Sequence, residues 1–293
     1  MFSFCADPSV LPQWQWFACY LTSGTHMAMY WSVLTVLLLL ALAAPLSMLF
    51  GFGGALMARS QVAPVAFLGK TYIAMVRGVP DIIFFLFVPI AVDQGLEYAL
   101  HTLRCPDWTE PVRQGADFLV CPQAKIPQAT SAAIVHDAYA FALALLAFAL
   151  VFGAFAANTL FGAMAAVPRA QVETAEAYGM SRRQAFRRVI VPQMWVYALP
   201  GLTNLWMILL KATPLLFLLG IKDVVYWARE LGGMKTQVYT FPHPDWRVWY
   251  FLALLCFYLL LTWGSEKVFV RLERRLSQGQ ATAAGEAIRK GAA

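Results

Sequence analysis

The distribution of charge constrains this chain more than any other feature. Residues 8–58 contain no Lys, Arg, Asp or Glu, and the strongly apolar part runs from about 27 to 57. Residues 138–168 and 189–210 are likewise uncharged, as is the shorter stretch 248–265. A membrane-spanning helix needs about 20 predominantly apolar residues. A fifth, weaker stretch at about 62–92 is interrupted by Lys70, Arg77 and Asp81. The pattern therefore predicts five spans in an all-α integral membrane protein. Composition agrees, at 60% hydrophobic and 13% charged residues over 293 positions, against roughly 45–50% and 25% in soluble domains. That balance excludes a disordered chain, a nucleic-acid-binding domain and an ordinary soluble enzyme. Nothing basic precedes the first apolar run, so no signal peptide is expected.

Orientation follows from where the cations lie, since short loops rich in Lys and Arg stay in the cytoplasm. The first 58 residues hold neither Lys nor Arg, which places the N-terminus, with a tail over 1–26, outside. Residues 169–188 carry five arginines against Glu173 and Glu176, and the segment from Glu266 onward carries six cations against three Glu. Both belong inside. Residues 93–137 carry three basic and six acidic groups and are expected outside. The loop at about 222–247, with four basic and three acidic groups, must then be outside too, and fits least well. The membrane domain is expected over 27–276, with a cytoplasmic tail over 277–293.

Catalytic signatures are missing. The chain has no phosphate-binding G-x-x-x-x-G-K-[ST] loop, no H-E-x-x-H and no G-x-S-x-G. If nucleotide drives it, a partner must hydrolyse it. The histidines His26, His101, His136 and His243 are scattered, so no metal site is expected and they read as loop and interface residues. Cys105 and Cys121 fall in the acidic outer loop, each followed by Pro. In an oxidising compartment they either pair or remain two thiols, a choice sequence leaves open.

The connection at about 168–192 is the informative segment. Pro168 suits a helix start, residues 169–178 favour helix, and Gly179 can supply a left-handed cap. Ser181 followed by Gln184 reads as a capping box for a second helix, which Pro192 is expected to terminate. Trp14, Trp16, Trp246 and Trp249 read as interfacial anchors. The cluster of Gly51, Gly53 and Gly54, with Gly153, reads as close helix contacts.

These residues carry a resemblance. Glu173-Thr174-Ala175, then Gly179, then nine residues and Val189-Ile190-Val191-Pro192 resembles the E-A-A signature of permeases in binding-protein-dependent ABC importers. Arg77-Gly78-Val79-Pro80, Leu199-Pro200 with Asn204 and Trp206, and Leu210-Lys211-Ala212-Thr213 look like motifs of the polar amino-acid (histidine, glutamine, arginine, opine) uptake subfamily. Likeness runs over about 27–276, leaving much of 93–135 unmatched. The resemblance implies a type I importer permease fold in a bacterial inner membrane. It implies a second permease subunit, a periplasmic binding protein delivering a small polar amino-acid-like solute, and a cytoplasmic ATPase dimer that carries the ATP and Mg. No cofactor is expected in this chain. Glu173, Thr174, Ala175, Glu176, Gly179, Arg182, Arg183 and Pro192 would form the ATPase-coupling element. The alternative is a secondary transporter driven by an ion gradient, for which Asp81 is the one serious intramembrane carrier.

This chain also departs from the subfamily. Asn158 and Phe161 stand where an acid and a base are usual, and Ala212 where Asp is common. The lost charges favour a related second permease over an identical copy. Polar groups inside spans are costly and mark pathways, so Arg77, Asp81, Asn158, Asn204 and Lys211 are pathway candidates. Each has a structural alternative. Arg77 and Asp81, spaced for an i, i+4 contact, could brace a break in a helix at Gly78 and Pro80. Asn158 and Asn204 could bond between helices, and Lys211 could snorkel to an interface.

Overall fold

In the computed structural model, described here for Cys5, residues 11–115 and residues 117–276, the chain is almost wholly helical. Its helices are α1 (Gln13–Leu21), α2 (Gly24–Ala58), α3 (Ala63–Gly78), α4 (Asp81–Arg104), α5 (Ala133–Ala166), α6 (Arg169–Ala177), α7 (Arg182–Ala185), α8 (Val191–Ala212), α9 (Val224–Gly232) and α10 (Arg247–Leu276). A two-stranded antiparallel hairpin, β1 (Arg113–Gln114) and β2 (Asp117–Phe118), lies between α4 and α5. The expected tail 277–293 is outside the described residues, as is most of 1–10.

Five helical stretches are long and apolar enough to cross a membrane: α2, α4, α5, the continuous run Arg182–Leu219, and α10. The number agrees with the sequence, but the second span moves. It is α4, not 62–92. Gly78 ends α3 and Pro80, at φ −58°, precedes α4, because proline biases its predecessor away from helix. A hydropathy reading averages across that break. α4 also continues to Arg104, so the connection to α5 is shorter than 93–137. The tail expected over 1–26 contains α1 and a disulfide, Cys5 to Cys19, that sequence did not anticipate.

The described chain forms two compact units. One gathers the chain up to Ala43 with Val79–Val151 and Thr213–Leu254. In it, Phe85 of α4 packs its ring 4.6 Å from Phe148 of α5. Buried polar groups link α1, α2 and α10: Tyr20 Oη lies 3.1 Å from His243 Nε2, His26 Nε2 lies 2.6 Å from Tyr250 Oη, and Tyr250 donates to Tyr20 at 3.0 Å. His26, His101 and His243 are buried in hydrogen-bonded positions, and His136 is exposed. Trp14 and Trp249 are largely exposed, whereas Trp16 and Trp246 pack among Phe17, Tyr20, Phe241 and His243.

The other unit gathers Ala44–Gly78, Phe152–Ala212 and the chain from Leu255 on. Its helices approach through small residues, as expected of membrane packing. A Cβ added to Gly51 of α2 would meet the Cβ of Ala156 on α5 at 2.6 Å, and one added to Gly153 would meet Phe50 at 2.7 Å. Gly54 is similarly tight against Tyr72 of α3, while Gly53 faces open space.

Candidate functional site

The segment joining α5 to α8 is a helix–turn–helix built almost entirely from local signals. α6 closes with a complete Schellman motif: Gly179 N–H donates to Glu176 O at 2.9 Å and Met180 N–H to Ala175 O at 3.0 Å. This geometry requires a left-handed residue at the turn, and Gly179 supplies it with φ +82°. Ser181 then caps α7. Its hydroxyl accepts from Gln184 N–H at 3.4 Å, and the Gln184 carboxamide oxygen accepts from Ser181 N–H at 2.8 Å. The capping box is therefore present.

Pro192 does not end the second helix. α7 passes through a π turn, Phe186–Ile190, directly into α8, so hairpin arm and membrane span form one continuous run. A proline inside a regular helix clashes with the carbonyl four residues earlier. The wider π turn just upstream of Pro192 gives the ring room, and sequence periodicity alone does not show such a turn.

Burial separates an inner from an outer face. Ala175, Ala185 and Ile190 are buried, and α6 packs against α7 and the π turn through these small or slim side chains. Glu173, Thr174, Glu176, Gly179, Arg182, Arg183 and Pro192 are exposed. Tyr178, at the elbow, is 84% exposed. Sequence reasoning passed over it, although an aromatic one residue before a capping glycine in an otherwise polar loop is a recognisable signal. One arm thus offers two carboxylates, and the other offers four guanidinium groups at Arg182, Arg183, Arg187 and Arg188. Among the described residues no ion pair links the arms. Ser181, Arg183, Gln184, Arg187 and Arg188 line an open depression of about 440 Å³. No reacting group sits here. The arrangement can bind a partner and transmit a push.

The pathway candidates are less concentrated. The side chain of Arg77 lies outside the described residues, and with it the expected pairing with Asp81. Asp81 is half-buried at the first turn of α4, in one unit, whereas Asn158, Asn204 and Lys211 belong to the other. Asn158 is half-buried on α5, next to the fully buried Ala157. Asn204 and Lys211 are exposed on α8 together with Pro200 and Ile208. The spacing of these four, i, i+4, i+8 and i+11, makes one continuous exposed stripe. Cys105 and Cys121 are joined in a disulfide.

Residues 50–278 match the family described as binding-protein-dependent transport system inner membrane component. The histidine/lysine/arginine/ornithine transport system permease protein HisQ of Escherichia coli is 34% identical over 233 residues, 79% of this chain and 84% of that protein. The arginine ABC transporter permease protein ArtQ of E. coli is 31% identical over 73% of this chain and 80% of its own length. The octopine transport system permease protein OccQ of Agrobacterium tumefaciens is 33% identical over 47% of this chain and 55% of its own. A solved structure described as an amino acid ABC transporter with histidines shares the fold, at a TM-score of 0.59 and 22% identity, over 87% of this chain and 98% of that one.

Proposed function

The chain belongs to the family of binding-protein-dependent transport system inner membrane components, and from that premise we propose that its 169–190 hairpin is the handle by which a cytoplasmic ATPase dimer moves the helix bundle. The carrying observation is the exposed, internally rigid helix–glycine–helix with E-A-A spacing, continuous through its π turn with a membrane span. Because α7 and α8 are one run, displacement of the hairpin is displacement of α8, a rigid-body coupling of the kind that gives alternating access. In this reading Glu173, Glu176 and Tyr178 contact the ATPase. Gly179 sets the bend, while Arg182 and Arg183 meet acidic groups of the partner. ATP and Mg stay in that partner.

The arginine-rich hairpin faces the cytoplasm, the N-terminus faces outward and the C-terminus inward, the arrangement that the basic residues favour. The cargo is a polar amino acid or a similar small solute delivered by a periplasmic binding protein. Relatives named for histidine, lysine, arginine, ornithine and octopine support that class. The exposed α8 stripe with Asn204 and Lys211 lines the pathway against a second permease subunit. Because Asn158 and Phe161 replace the usual charges, that second subunit is a related chain carrying the charged half of the site.

The test is co-purification with the ATPase and binding-protein-dependent uptake in proteoliposomes. Glu173→Lys should lower ATP-driven uptake at least tenfold while leaving membrane insertion unchanged. Full uptake in that variant, or an assembly in which no ATPase touches 169–190, would overturn the reading.

A further inference from the structure

The second half of α4 carries two parallel stripes. The first is polar and fully engaged. Asp93 accepts from the Tyr139 hydroxyl at 2.8 Å, Glu97 from Lys125 at 2.9 Å and Ile126 N–H at 3.3 Å, His101 Nδ1 from Cys121 N–H at 3.1 Å, and Arg104 donates to Gln123 O at 2.8 Å. With the Cys105–Cys121 disulfide, the bonds of Glu97, His101 and Arg104 fix residues 121–126 to the helix, and Val112 and Phe118 pack against the buried Val120, Cys121 and Ala124 of that segment. The second stripe is apolar and open: Phe87, Ile90, Ala91, Gln94, Gly95 and Tyr98, at i, i+3, i+4, i+7, i+8 and i+11. The β1–β2 segment forms the opposite wall with Val112, Arg113 and Phe118, enclosing a groove of about 520 Å³.

The groove has room for part of one acyl chain and its headgroup linkage. Its volume falls within the roughly 300–1,000 Å³ of small-molecule sites. From Phe87 to Tyr98 the helix rises about 16 Å, close to half of a hydrocarbon core about 30 Å thick. Arg113 is the one charged residue in the lining and has no ion pair among the described residues. Tyr98, 52% exposed, is of the residue type that concentrates at the membrane–water boundary.

We propose that this groove holds a phospholipid, one acyl chain lying along Phe87, Ile90 and Ala91 and its phosphodiester paired with Arg113 and the Tyr98 hydroxyl. Arginine suits that anion because its planar fork meets two phosphate oxygens at once. Because the disulfide and the polar stripe pre-form the wall, little ordering is lost on binding. The inference requires α4 to cross the bilayer and is independent of the hairpin's role.

The test titrates dioleoyl phosphatidylglycerol against the full chain in its purified importer, read by native mass spectrometry, with glycerol 3-phosphate in a parallel arm. A Cβ at Gly95 meets nothing within 4 Å, so Gly95→Trp fills the groove without displacing backbone. The expected result is one retained lipid per chain. Its apparent Kd should rise at least tenfold in Gly95→Trp and about tenfold in Arg113→Gln, with thermal midpoints of both variants unchanged. Retention equal in wild type and both variants would mean annular lipid only and overturn the proposal. So would binding of glycerol 3-phosphate as tight as that of the lipid, or loss of a subunit from the Gly95→Trp complex with lipid retention unaltered.

Discussion

The cap between α4 and α5 and the hairpin between α5 and α8 are both compact elements of some two dozen residues, yet they handle their polar groups in opposite ways. In the cap, side chains close on the protein's own surface. A carboxylate, an imidazole and a guanidinium on α4 each meet a group of the connection, and a disulfide fixes the result. In the hairpin, backbone and small residues do the folding, through a Schellman turn, a capping box and alanines at the contact. Its charged side chains make no ion pair among the described residues and point outward. A segment that consumes its charges internally is built to stay with its own helix. One that folds without them leaves them exposed.

The sharpest way to break this contrast is Gly179→Pro. Proline fixes φ near −65°, where the turn needs +82°, and it removes the N–H donated to Glu176 O. The bend then cannot form, and ATP-driven uptake should fall at least tenfold at unchanged membrane abundance. Gly179→Ala, which carries only the left-handed penalty of about 1–2 kcal/mol, should be intermediate. If uptake survives the proline, the hairpin is not the handle.

Next in size is the cap. For a closed loop of about 15 residues a disulfide contributes about 3 kcal/mol, and Cys105 and Cys121 are 16 apart. Cys105→Ser with Cys121→Ser should therefore raise amide exchange of 106–126 about a hundredfold. Glu97→Leu should do less, about 1–2 kcal/mol. It strands the Ile126 N–H inside, but Lys125 is half-exposed and can turn to water. In both variants exchange of 169–190 should stay as in wild type. A change there would show that the two elements do not hold independently.

What was legible in the sequence divides along the same line. The hairpin could be read because its determinants act over three to five residues: a glycine at the helix end, and a serine three before a glutamine. The cap could not. Glu97 meets Ile126 across 29 positions and His101 meets Cys121 across 20, while Tyr20 and His243, elsewhere, meet across 223. No periodicity encodes such pairings, so the partners of the buried histidines could not be named from sequence. Misplacement of the second span and of the Pro192 stop has another cause. Both involve a proline whose effect depends on what the neighbouring turn does, a break at Gly78 in one case and a π turn in the other. The pathway candidates did not come together: Asp81 lies in one unit and Asn158, Asn204 and Lys211 in the other.

A third prediction tests how much of the hairpin's order is local. Ser181→Ala removes one half of the capping box, typically about 1 kcal/mol. Fraying should be confined to α7, seen as faster exchange at Arg183 and Gln184, and uptake should fall no more than about twofold. Spread of exchange into α8 would show that the span relies on the cap and not on its own burial.

The last comparison separates two N-caps, Ser181 of α7 and Asp223 of α9. Ser181 is exposed and its cap is reciprocal. Asp223 is fully buried, with Oδ1 accepting from Tyr226 N–H at 2.9 Å to cap α9, while Oδ2 has no hydrogen-bond partner among the described residues. Burial pushes its carboxyl up to about 6, against 3.8 when unfolded. A raised carboxyl favours the neutral form in the folded chain. Its stabilisation is complete below about pH 4 and is lost as pH rises through about 6. Asparagine caps helices as well as aspartate does and has no proton to lose. Asp223→Asn should therefore raise the thermal midpoint at pH 7.5 and leave it unaltered at pH 4, while the deficit of Ser181→Ala should be flat across the same range. A less stable Asn variant at pH 7.5 would mean that Oδ2 is engaged by a cation or by water in the assembled protein, and that this cap is as fully satisfied as the hairpin's own.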